Sequence, residues 1–354
     1  MNKKTILVTG GLGFIGSHTV VALQEAGYEV IIIDNLSNSF AFVLDGIQAI
    51  TGIKSRFYEG DCNDRAFMQS VFGKEKIDGV IHFAAYKAVG ESVAEPLKYY
   101  HNNLMSLIVL LELMQAHAVP HLVFSSSCTV YGQPKQLPVD ESAPILPAQS
   151  PYGNTKQICE EIIRDSVQAG MPVKALALRY FNPIGAHPTA HIGELPIGVP
   201  NNLVPYITQT AAGIRRELSI FGNDYNTPDG TCIRDFIHVM DLAEAHVKAL
   251  ECLLKQPAAP LYDFVNIGTG KGHSVLEVVQ TFERVNNLQL PYKFAPRRPG
   301  DVEQIYAKAD KAKQMLGWQA RRSLDEALRD AWQWQKALKE KGILAKMQET
   351  ETDA

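Results

Sequence analysis

Residues 4–16, KTILVTGGLGFIG, decide the fold. The run 4–9 is continuous, apolar and rich in β-branched residues, which is typical of a strand buried on both faces of a parallel sheet. A glycine-rich turn follows, and the apolar residues of 15–26 then recur at helical spacing until Gly27, which can end the helix. A strand, a glycine turn and a helix in this order predict the first unit of an α/β domain.

Strand and helix continue to alternate through the first half of the chain. Apolar runs predict further strands, and stretches with helical spacing separate most of them. The predicted strands cover residues 29–34, 55–59, 79–83, 121–125 and 173–178, and the predicted helices cover residues 65–72, 97–115 and 152–168. This alternation predicts an α/β fold, a doubly wound parallel sheet of the Rossmann type with helices on both faces.

The composition of the sequence changes after residue 182, where proline and glycine become frequent. Short strands are predicted at 218–221 and 264–267, and helices at 204–213, 240–254, 274–286 and 323–338. We predict a sheet domain of residues 1–182, a smaller mixed α/β domain of residues 183–345 and a polar tail of residues 346–354. A return of the chain to the first domain near residues 233–267 stays open as an alternative.

Composition excludes several classes of partner. The 354 residues include 34 basic and 38 acidic side chains, a formal net charge of −4, without the charge pattern of a nucleic-acid or membrane-surface binder. No apolar stretch approaches the ~18 residues of a membrane span, and no secretory signal precedes residue 10. We therefore expect a cytoplasmic protein with no metal and with reduced thiols at its five scattered cysteines, Cys62, Cys128, Cys159, Cys232 and Cys252.

The glycine turn and an acidic residue predict a dinucleotide site. Gly10, Gly13 and Gly16 let backbone N–H groups approach a pyrophosphate without an intervening Cβ, and the helix N-terminus adds positive potential. Asp34 ends the second strand, 18 residues after Gly16, where a carboxylate accepts from ribose hydroxyls and repels a 2′-phosphate. The pattern therefore predicts NAD rather than NADP as the cofactor.

Two acidic residues of this region have alternative interpretations. Asp34 could instead cap a helix beginning near Leu36. Asp61, after the third strand, could hydrogen-bond the adenine or cap the helix that begins at Arg65. The sequence does not choose between the two interpretations of Asp61.

A tyrosine and a lysine form the catalytic candidate. Tyr152 and Lys156 share one face of a predicted helix, for which Ser150 is a suitable N-cap. A tyrosine titrates near pH ~10, so we expect the lysine ammonium, with a cationic nicotinamide, to lower the pKa of Tyr152. An exposed pair on a solvated helix is the alternative. Ser125, Ser126 and Ser127 follow the strand residues 121–124, and one of these hydroxyls could bridge Tyr152 and a substrate oxygen or serve as a turn or cap.

Three motifs in order, TGGLGFIG, SSSCTVYG and SPYGNTK, give the chain its resemblance to the extended short-chain dehydrogenase/reductase family. Within that family it is similar to the nucleotide-sugar 4-epimerases from residue 4 to about residue 338. The motifs that carry this similarity lie at 34–39 (DNLSNS), 81–92 (IHFAAYKAVGES), 99–103 (YYHNN), 179–188 (RYFNPIGAHP), 200–207 (PNNLVPYI), 221–243 (FGNDYNTPDGTCIRDFIHVMDLA), 266–275 (NIGTGKGHSV) and 297–301 (RRPGD).

The resemblance implies a set of site residues. It makes Ser127 the catalytic serine beside Tyr152 and Lys156. The implied cofactor contacts are Gly10, Gly13, Phe14, Ile15, Gly16, Asp34, Asn35, Asp61, Cys62, Phe83, Ala84, Lys87, Asn102, Ser125, Tyr152, Lys156 and Tyr180. The implied contacts to a UDP-sugar are Lys87, Ser127, Tyr152, Phe181, Asn182, Asn202, Leu203, Phe221, Arg234, Arg298, Asp301 and Ile305. Guanidinium groups suit a diphosphate, although either arginine alone could equally form a surface salt bridge.

The resemblance also implies a reaction and an assembly. The reaction is the reversible interconversion of UDP-galactose and UDP-glucose, by transient oxidation at C4 with retained NAD and rotation of a 4-keto intermediate. It makes residues 1–182 the NAD-binding domain and residues 183–345 the nucleotide-sugar domain. The implied assembly is a homodimer through helices 97–115 and 152–168, whose apolar residues would equally fit burial against the sheet.

Departures from the family pattern affect specificity. Cys128 stands where alanine is expected, His101 where aspartate is usual, and Phe236 where a tyrosine can contact the nucleotide. Ile305 falls where a large tyrosine excludes N-acetylated sugars and a small cysteine admits them, so UDP-N-acetylglucosamine 4-epimerase activity is the alternative function. Ser126 and Ser127 occupy positions that are acidic in related 4,6-dehydratases, which argues against dehydration. A simple dehydrogenase and a non-catalytic NAD sensor are further alternatives, the latter disfavoured because the tyrosine and lysine are both kept.

Overall fold

The computed structural model describes residues 3–256, 259–298 and 301–343. Its strands, in chain order, are β1 (Thr5–Thr9), β2 (Glu29–Asp34), β3 (Arg56–Glu59), β4 (Gly79–His82), β5 (His121–Ser127), β6 (Lys174–Tyr180), β7 (Asn182–Ile184), β8 (Leu218–Phe221), β9 (Ile233–Arg234), β10 (Phe236–His238), β11 (Leu261–Ile267), β12 (His273–Ser274), β13 (Tyr292–Ala295) and β14 (Gln304–Ile305). Its helices are α1 (Phe14–Glu25), α2 (Val43–Thr51), α3 (Arg65–Lys74), α4 (Val89–Ala94), α5 (Pro96–Ala116), α6 (Pro151–Gln168), α7 (Leu203–Ala211), α8 (Val239–Lys255), α9 (Val275–Asn286), α10 (Asp310–Leu316) and α11 (Leu324–Glu340).

A seven-stranded parallel sheet forms the centre of the molecule, in the order β11-β6-β5-β4-β1-β2-β3. Alternate residues of each strand point to opposite faces, so Ile6 and Val8 join one apolar cluster and Leu7 joins another. Helices α1, α2, α8 and α10 cover the first face, and α3, α5 and α6 cover the second. The predicted doubly wound α/β fold is confirmed.

The second half of the chain contributes to two parts of the molecule. Helices α7, α9 and α11 pack with β8 around a third apolar cluster, next to the two-stranded pair β8–β13. Strand β11 instead pairs with β6 along seven residues, and α8 packs against α1. The prediction of a short, isolated strand at 264–267 was therefore wrong, because this segment is an edge strand of the main sheet. The domain division at residue 182 stays a prediction.

Local signals fixed the helix ends where side chains cap them. Ser150 caps α6, accepting from the Gly153 N–H at 3.2 Å, as predicted. Helices α2, α4 and α10 were not predicted, because each is short and its apolar face is small. The predicted tail of residues 346–354 lies outside the described residues. Among the described helices, none is long and apolar enough to cross a membrane.

Candidate active site

One cavity of about 510 Å³ opens where strands of the main sheet end. All the residues to which the resemblance assigned cofactor contacts line it: Gly10, Gly13, Phe14, Ile15, Gly16, Asp34, Asn35, Asp61, Cys62, Phe83, Ala84, Lys87, Asn102, Ser125, Tyr152, Lys156 and Tyr180. Residues from eight separate stretches of sequence therefore meet at a single site. Within the described residues, no group of three or more metal-binding side chains is found anywhere.

The glycine turn forms a cradle that side chains would fill. Gly10 has a φ of +66°, and a Cβ there would lie 2.8 Å from the Ala84 nitrogen. A Cβ on Gly16 would lie 2.1 Å from the Gly10 oxygen, so the turn can close only around glycine. Gly13 is the N-cap of α1, and within the described residues no side chain caps this helix start. The first N–H groups of α1 are thus left for a ligand, which fits a dinucleotide pyrophosphate.

Asp34 shapes the adjoining loop. Its carboxylate accepts from the backbone N–H groups of Leu12 and Leu36, both at 3.0 Å, and from the Ser39 hydroxyl at 2.7 Å. The alternative that Asp34 caps a helix near Leu36 is wrong, because α2 begins only at Val43. Asp34 is buried and lies on the cavity wall, where its negative charge disfavours a 2′-phosphate.

Asp61 also belongs to the cavity rather than to a helix cap. It accepts from the backbone and side-chain nitrogens of Asn63 at 2.8 Å and from the Asn35 side chain at 3.2 Å. The cap of α3 is Asp64, which accepts from the N–H groups of two helix residues. The capping interpretation of Asp61 was therefore wrong, and its contact with the cofactor stays a prediction.

Tyr152 and Lys156 are both buried, so the alternative of an exposed pair was wrong. The Lys156 ammonium donates to the Ser125 main-chain oxygen at 2.6 Å and lies 6.0 Å from the Tyr152 ring centroid. Burial lowers the pKa of Lys156 to about 8. Burial also raises the pKa of Tyr152 above its ordinary value in the protein alone, and the lowering expected from Lys156 together with a cationic nicotinamide stays a prediction. In the protein alone, burial of Tyr152 therefore affects its pKa more than the charge of Lys156 does.

The three serines differ in their partners. Ser125 shares a hydrogen bond of 2.6 Å with the Tyr180 hydroxyl, and the Ser126 hydroxyl donates to Glu160. Ser127 accepts from the Thr129 N–H, capping a short 3₁₀ turn, and is the serine whose hydrogen bonding acts to lower the pKa of Tyr152. Geometry thus singles out Ser127, which the sequence alone could not do.

The residues predicted to contact the sugar nucleotide fall into three groups. Lys87, Tyr152 and Asn202 line the cavity. Phe181 and Ile305 belong to a small apolar cluster that also contains Cys128, the neighbour of Ser127. Burial raises the pKa of the Cys128 thiol to about 12, which fits a packed, inert side chain. Asn182 begins β7, and its N–H donates to the Asp235 main-chain oxygen at 2.9 Å, while Leu203 is the first residue of α7.

The third group surrounds Asp301. Arg298 donates to this carboxylate at 2.8 Å, and a nitrogen of the half-buried Arg234 lies 3.9 Å from it. The Arg298 guanidinium also lies 5.8 Å from the Phe221 ring centroid, and Phe221 is 44% exposed. The salt bridge considered as an alternative for Arg298 is thus present. Two guanidinium groups and an exposed aromatic ring nevertheless form a surface suited to a nucleoside diphosphate.

Two site residues were missed from the sequence. Glu160 lies one helical turn after Lys156 and receives bonds from Ser126 and Arg179, so its spacing could have indicated it. Glu194 lines the cavity from a loop rich in proline and glycine. Such a loop has no helical or strand periodicity from which the direction of a side chain could be predicted.

A dinucleotide cradle on a doubly wound sheet, beside a buried Ser–Tyr–Lys set, defines an NAD-dependent enzyme of the extended short-chain dehydrogenase/reductase class. The family model described as GDP-mannose 4,6 dehydratase matches residues 7–331. The chain belongs to the UDP-glucose 4-epimerase family within this class. It is 54% identical over 330 residues to the UDP-glucose 4-epimerase of Bacillus subtilis (strain 168), covering 93% of this chain and 96% of that protein.

Solved structures give the same result. The UDP-glucose 4-epimerase of Bifidobacterium longum, in complex with NAD⁺ and UDP, is similar with a TM-score of 0.90 and 46% identity, covering 94% of this chain and 98% of that chain. The UDP-glucose-4-epimerase of Stenotrophomonas maltophila, with bound NAD and formylated UDP-arabinopyranose, has a TM-score of 0.92 and 47% identity, covering 95% and 99%.

Proposed function

We propose that this chain interconverts UDP-galactose and UDP-glucose by inverting the configuration at C4 of the sugar. The single observation that carries this function is the buried set of Ser127, Tyr152 and Lys156, of which Tyr152 and Lys156 line the dinucleotide cavity, in a chain of this family. The reaction has no net oxidation, so the cofactor can stay bound from one turnover to the next.

The residues that would hold NAD are those of the glycine turn, with Asp34 excluding a 2′-phosphate and Lys156 and Tyr180 on the far wall. When bound, NAD supplies the acceptor and then the donor of a hydride at C4. The fit rests on the glycine cradle and on the uncapped start of α1.

Tyr152 is the general base in this proposal. As the phenolate, it takes the proton of the sugar 4-hydroxyl, directly or through Ser127, and returns it after the sugar has turned. A buried phenolate needs a neighbouring cation, and Lys156, with a pKa of about 8, is largely protonated at neutral pH. Its bond to the Ser125 oxygen holds the ammonium in place without neutralising its charge.

The sugar nucleotide must be held at one end and free at the other. Arg234 and Arg298 would bind the diphosphate, which would then compete with Asp301 for the Arg298 guanidinium. On the sugar side, the apolar cluster of Phe181, Ile305 and Cys128 would form the adjoining wall. An apolar wall offers no hydrogen-bond partner that would fix the sugar hydroxyl groups in one orientation. It therefore allows a 4-keto sugar to rotate.

The alternatives have weaker support. Ile305 is 5% exposed and packed in its cluster, which gives little room for an N-acetyl group, so UDP-N-acetylglucosamine is not the favoured substrate. Dehydration would require an acid at position 126, and here the Ser126 hydroxyl donates to Glu160 instead.

A homodimer and a cytoplasmic location are further parts of the proposal. Leu97 and Met105 on α5 are 82% and 40% exposed, and α5 packs beside α6, so these two helices could present an apolar face to a second copy. All five cysteines are free, as in proteins of a reducing compartment.

The deciding experiment is incubation of the purified protein with UDP-galactose and no added NAD. Formation of UDP-glucose over many turnovers, followed by chromatography and without net NADH, is the expected result. Absence of product even after NAD is supplied would contradict the function. A parallel incubation with UDP-N-acetylgalactosamine tests the alternative, and we expect it to be turned over poorly.

A further inference from the structure

One loop of the second half of the chain carries an acidic side chain to the cavity wall. Residues 193–197 and 199–202 line the same cavity as the glycine turn, and Glu194 is the only acidic residue among them. Its side chain is 9% exposed. A nearly buried carboxylate beside a site for two anionic ligands requires a positive or hydrogen-bonding partner.

Glu194 has two such partners, and both are predicted ligand contacts. Its Oε1 accepts from the Lys87 ammonium at 3.2 Å and from the Asn202 side-chain nitrogen at 2.6 Å. Lys87 follows β4 of the main sheet, whereas Asn202 precedes α7 of the second half. One carboxylate oxygen thus joins a side chain from the cofactor side to one from the sugar-nucleotide side.

The position of Asn202 depends on Glu194 rather than on its own helix. Asn202 is the N-cap of α7, yet no side-chain cap hydrogen bond is formed among the described residues. The third residue of this helix is Pro205, which has no N–H to cap. Because a carboxylate only accepts, the Asn202 amide must turn its nitrogen toward Glu194 and keep its oxygen for another partner.

The backbone at Glu194 is itself fixed by packing. The indole nitrogen of Trp334, on α11, donates to the Glu194 main-chain oxygen at 2.9 Å. A Cβ on Gly193 would lie 2.5 Å from the same indole ring, so the chain passes closely over it. The carboxylate is therefore held at a defined place before any ligand binds.

We propose that Glu194 is a positioning residue that holds Lys87 and Asn202 on one pre-organised wall, so that NAD and the nucleotide sugar bind more tightly. Lys87 is half-exposed, and without a partner its long side chain would populate many rotamers that binding must then restrict. This inference rests on the proposed function for the identity of the ligands, but its binding measurements are independent of turnover.

The test compares Glu194→Ala and Glu194→Gln with Glu29→Gln, which removes an exposed carboxylate paired with Arg56 at the opposite end of the sheet. For Glu194→Ala we expect KM for UDP-galactose and Kd for UDP, measured by calorimetry, to rise about tenfold. Retention of NAD through dialysis should also fall, while kcat per NAD-loaded site changes less than about twofold. Glu194→Gln keeps an acceptor for Asn202 but not the charge for Lys87. Glu194→Gln should therefore lose as much NAD on dialysis as Glu194→Ala, whereas its KM for UDP-galactose should rise only about threefold.

A purely structural role predicts a different pattern. A lower Tm with unchanged NAD retention and UDP affinity would overturn the proposal, as would tighter UDP binding in Glu194→Gln. The double variant Glu194→Ala/Asn202→Ala should raise KM by less than the product of the two single increases, because the part of the Glu194 effect that acts through Asn202 is already lost; the full product would count against the link. If the wild type fails to epimerise UDP-galactose while the Glu194 variants still lose NAD and UDP affinity, the proposed function falls and the positioning role stands.

Discussion

The ammonium group of Lys156 is bound by the main-chain oxygen of Ser125, 2.6 Å away, and not by the hydroxyl of Tyr152. A strand end therefore holds the lysine, and its charge acts on the tyrosine through space. This arrangement leaves the phenol free to exchange a proton with Ser127 or a substrate while the cation stays in place. It also buries an amine among apolar groups, which has consequences for stability.

The first prediction concerns this amine. Burial lowers the pKa of Lys156 from the ordinary value of 10.5 to about 8. Between these values the unfolded chain binds more protons than the folded one, so this group makes the free energy of unfolding rise with pH. Lys156→Met should remove the rise. Urea denaturation at about pH 7.5 and about pH 9.5 should show the wild type gaining stability relative to this variant at the higher pH.

An exposed lysine provides the control. Lys248 on α8 pairs with Glu251 at the surface, and Lys248→Met should differ from the wild type by the same amount at both pH values. A difference between wild type and Lys156→Met that is constant with pH would contradict the lowered pKa.

The second prediction concerns Tyr152. Tyr152→Phe removes the general base but keeps the ring on the cavity wall, so NAD retention should match the wild type. Turnover of UDP-galactose should fall by roughly 10²- to 10⁴-fold. Tyr28→Phe, at the start of β2 and the other end of the sheet, should leave both quantities unchanged. Wild-type turnover in Tyr152→Phe would remove this residue from the chemistry.

Sequence patterns predicted the parts of the molecule that depend on local spacing. The strand at 29–34 has the predicted bounds, and the cofactor contacts that the family resemblance implied, from Gly10 to Tyr180, meet in one cavity. Both results follow because buried parallel strands are continuous apolar runs and because their carboxyl ends meet at one edge. The fold and the cofactor side of the site were thus accessible without coordinates.

Features that depend on long-range packing were not accessible. Strand β11 joins the main sheet through pairing with β6, which the sequence left only as an open alternative, a return of the chain near residues 233–267, because no local pattern specifies the partner strand. The pKa of Tyr152 in the protein alone depends on how completely the fold excludes water, which helical spacing to Lys156 does not indicate. The link between Glu194 and Lys87 joins residues 107 positions apart in sequence, and only the folded loop creates it.

The third prediction separates two glycines of the turn. A methyl group at Gly16 would collide with the Gly10 oxygen, whereas a Cβ at Gly13 meets only that oxygen, at 3.3 Å, among the described residues. Gly16→Ala should therefore lower the free energy of unfolding by about 1–3 kcal/mol and abolish NAD retention. Gly13→Ala should stay within about 1 kcal/mol of the wild type but still lose NAD, because its methyl group occupies the ligand's approach. Equal destabilisation of the two variants, measured by urea denaturation, would contradict this account.

The fourth prediction concerns the buried ion pair of Glu160 and Arg179, next to Ser126. Glu160 accepts from Arg179 at 2.9 and 2.6 Å, and both side chains are less than 10% exposed. Glu160→Gln would leave the guanidinium buried without its counter-charge, so the free energy of unfolding should fall by about 3–5 kcal/mol. Asp165→Asn removes a carboxylate from an exposed pair on the same helix and should lower it by less than about 1 kcal/mol. Urea denaturation of both variants checks the contrast. Similar losses of stability in the two variants would mean that burial does not set the strength of the Glu160–Arg179 pair. The expected difference would show that this pair stabilises the end of β5, where Ser126 lies.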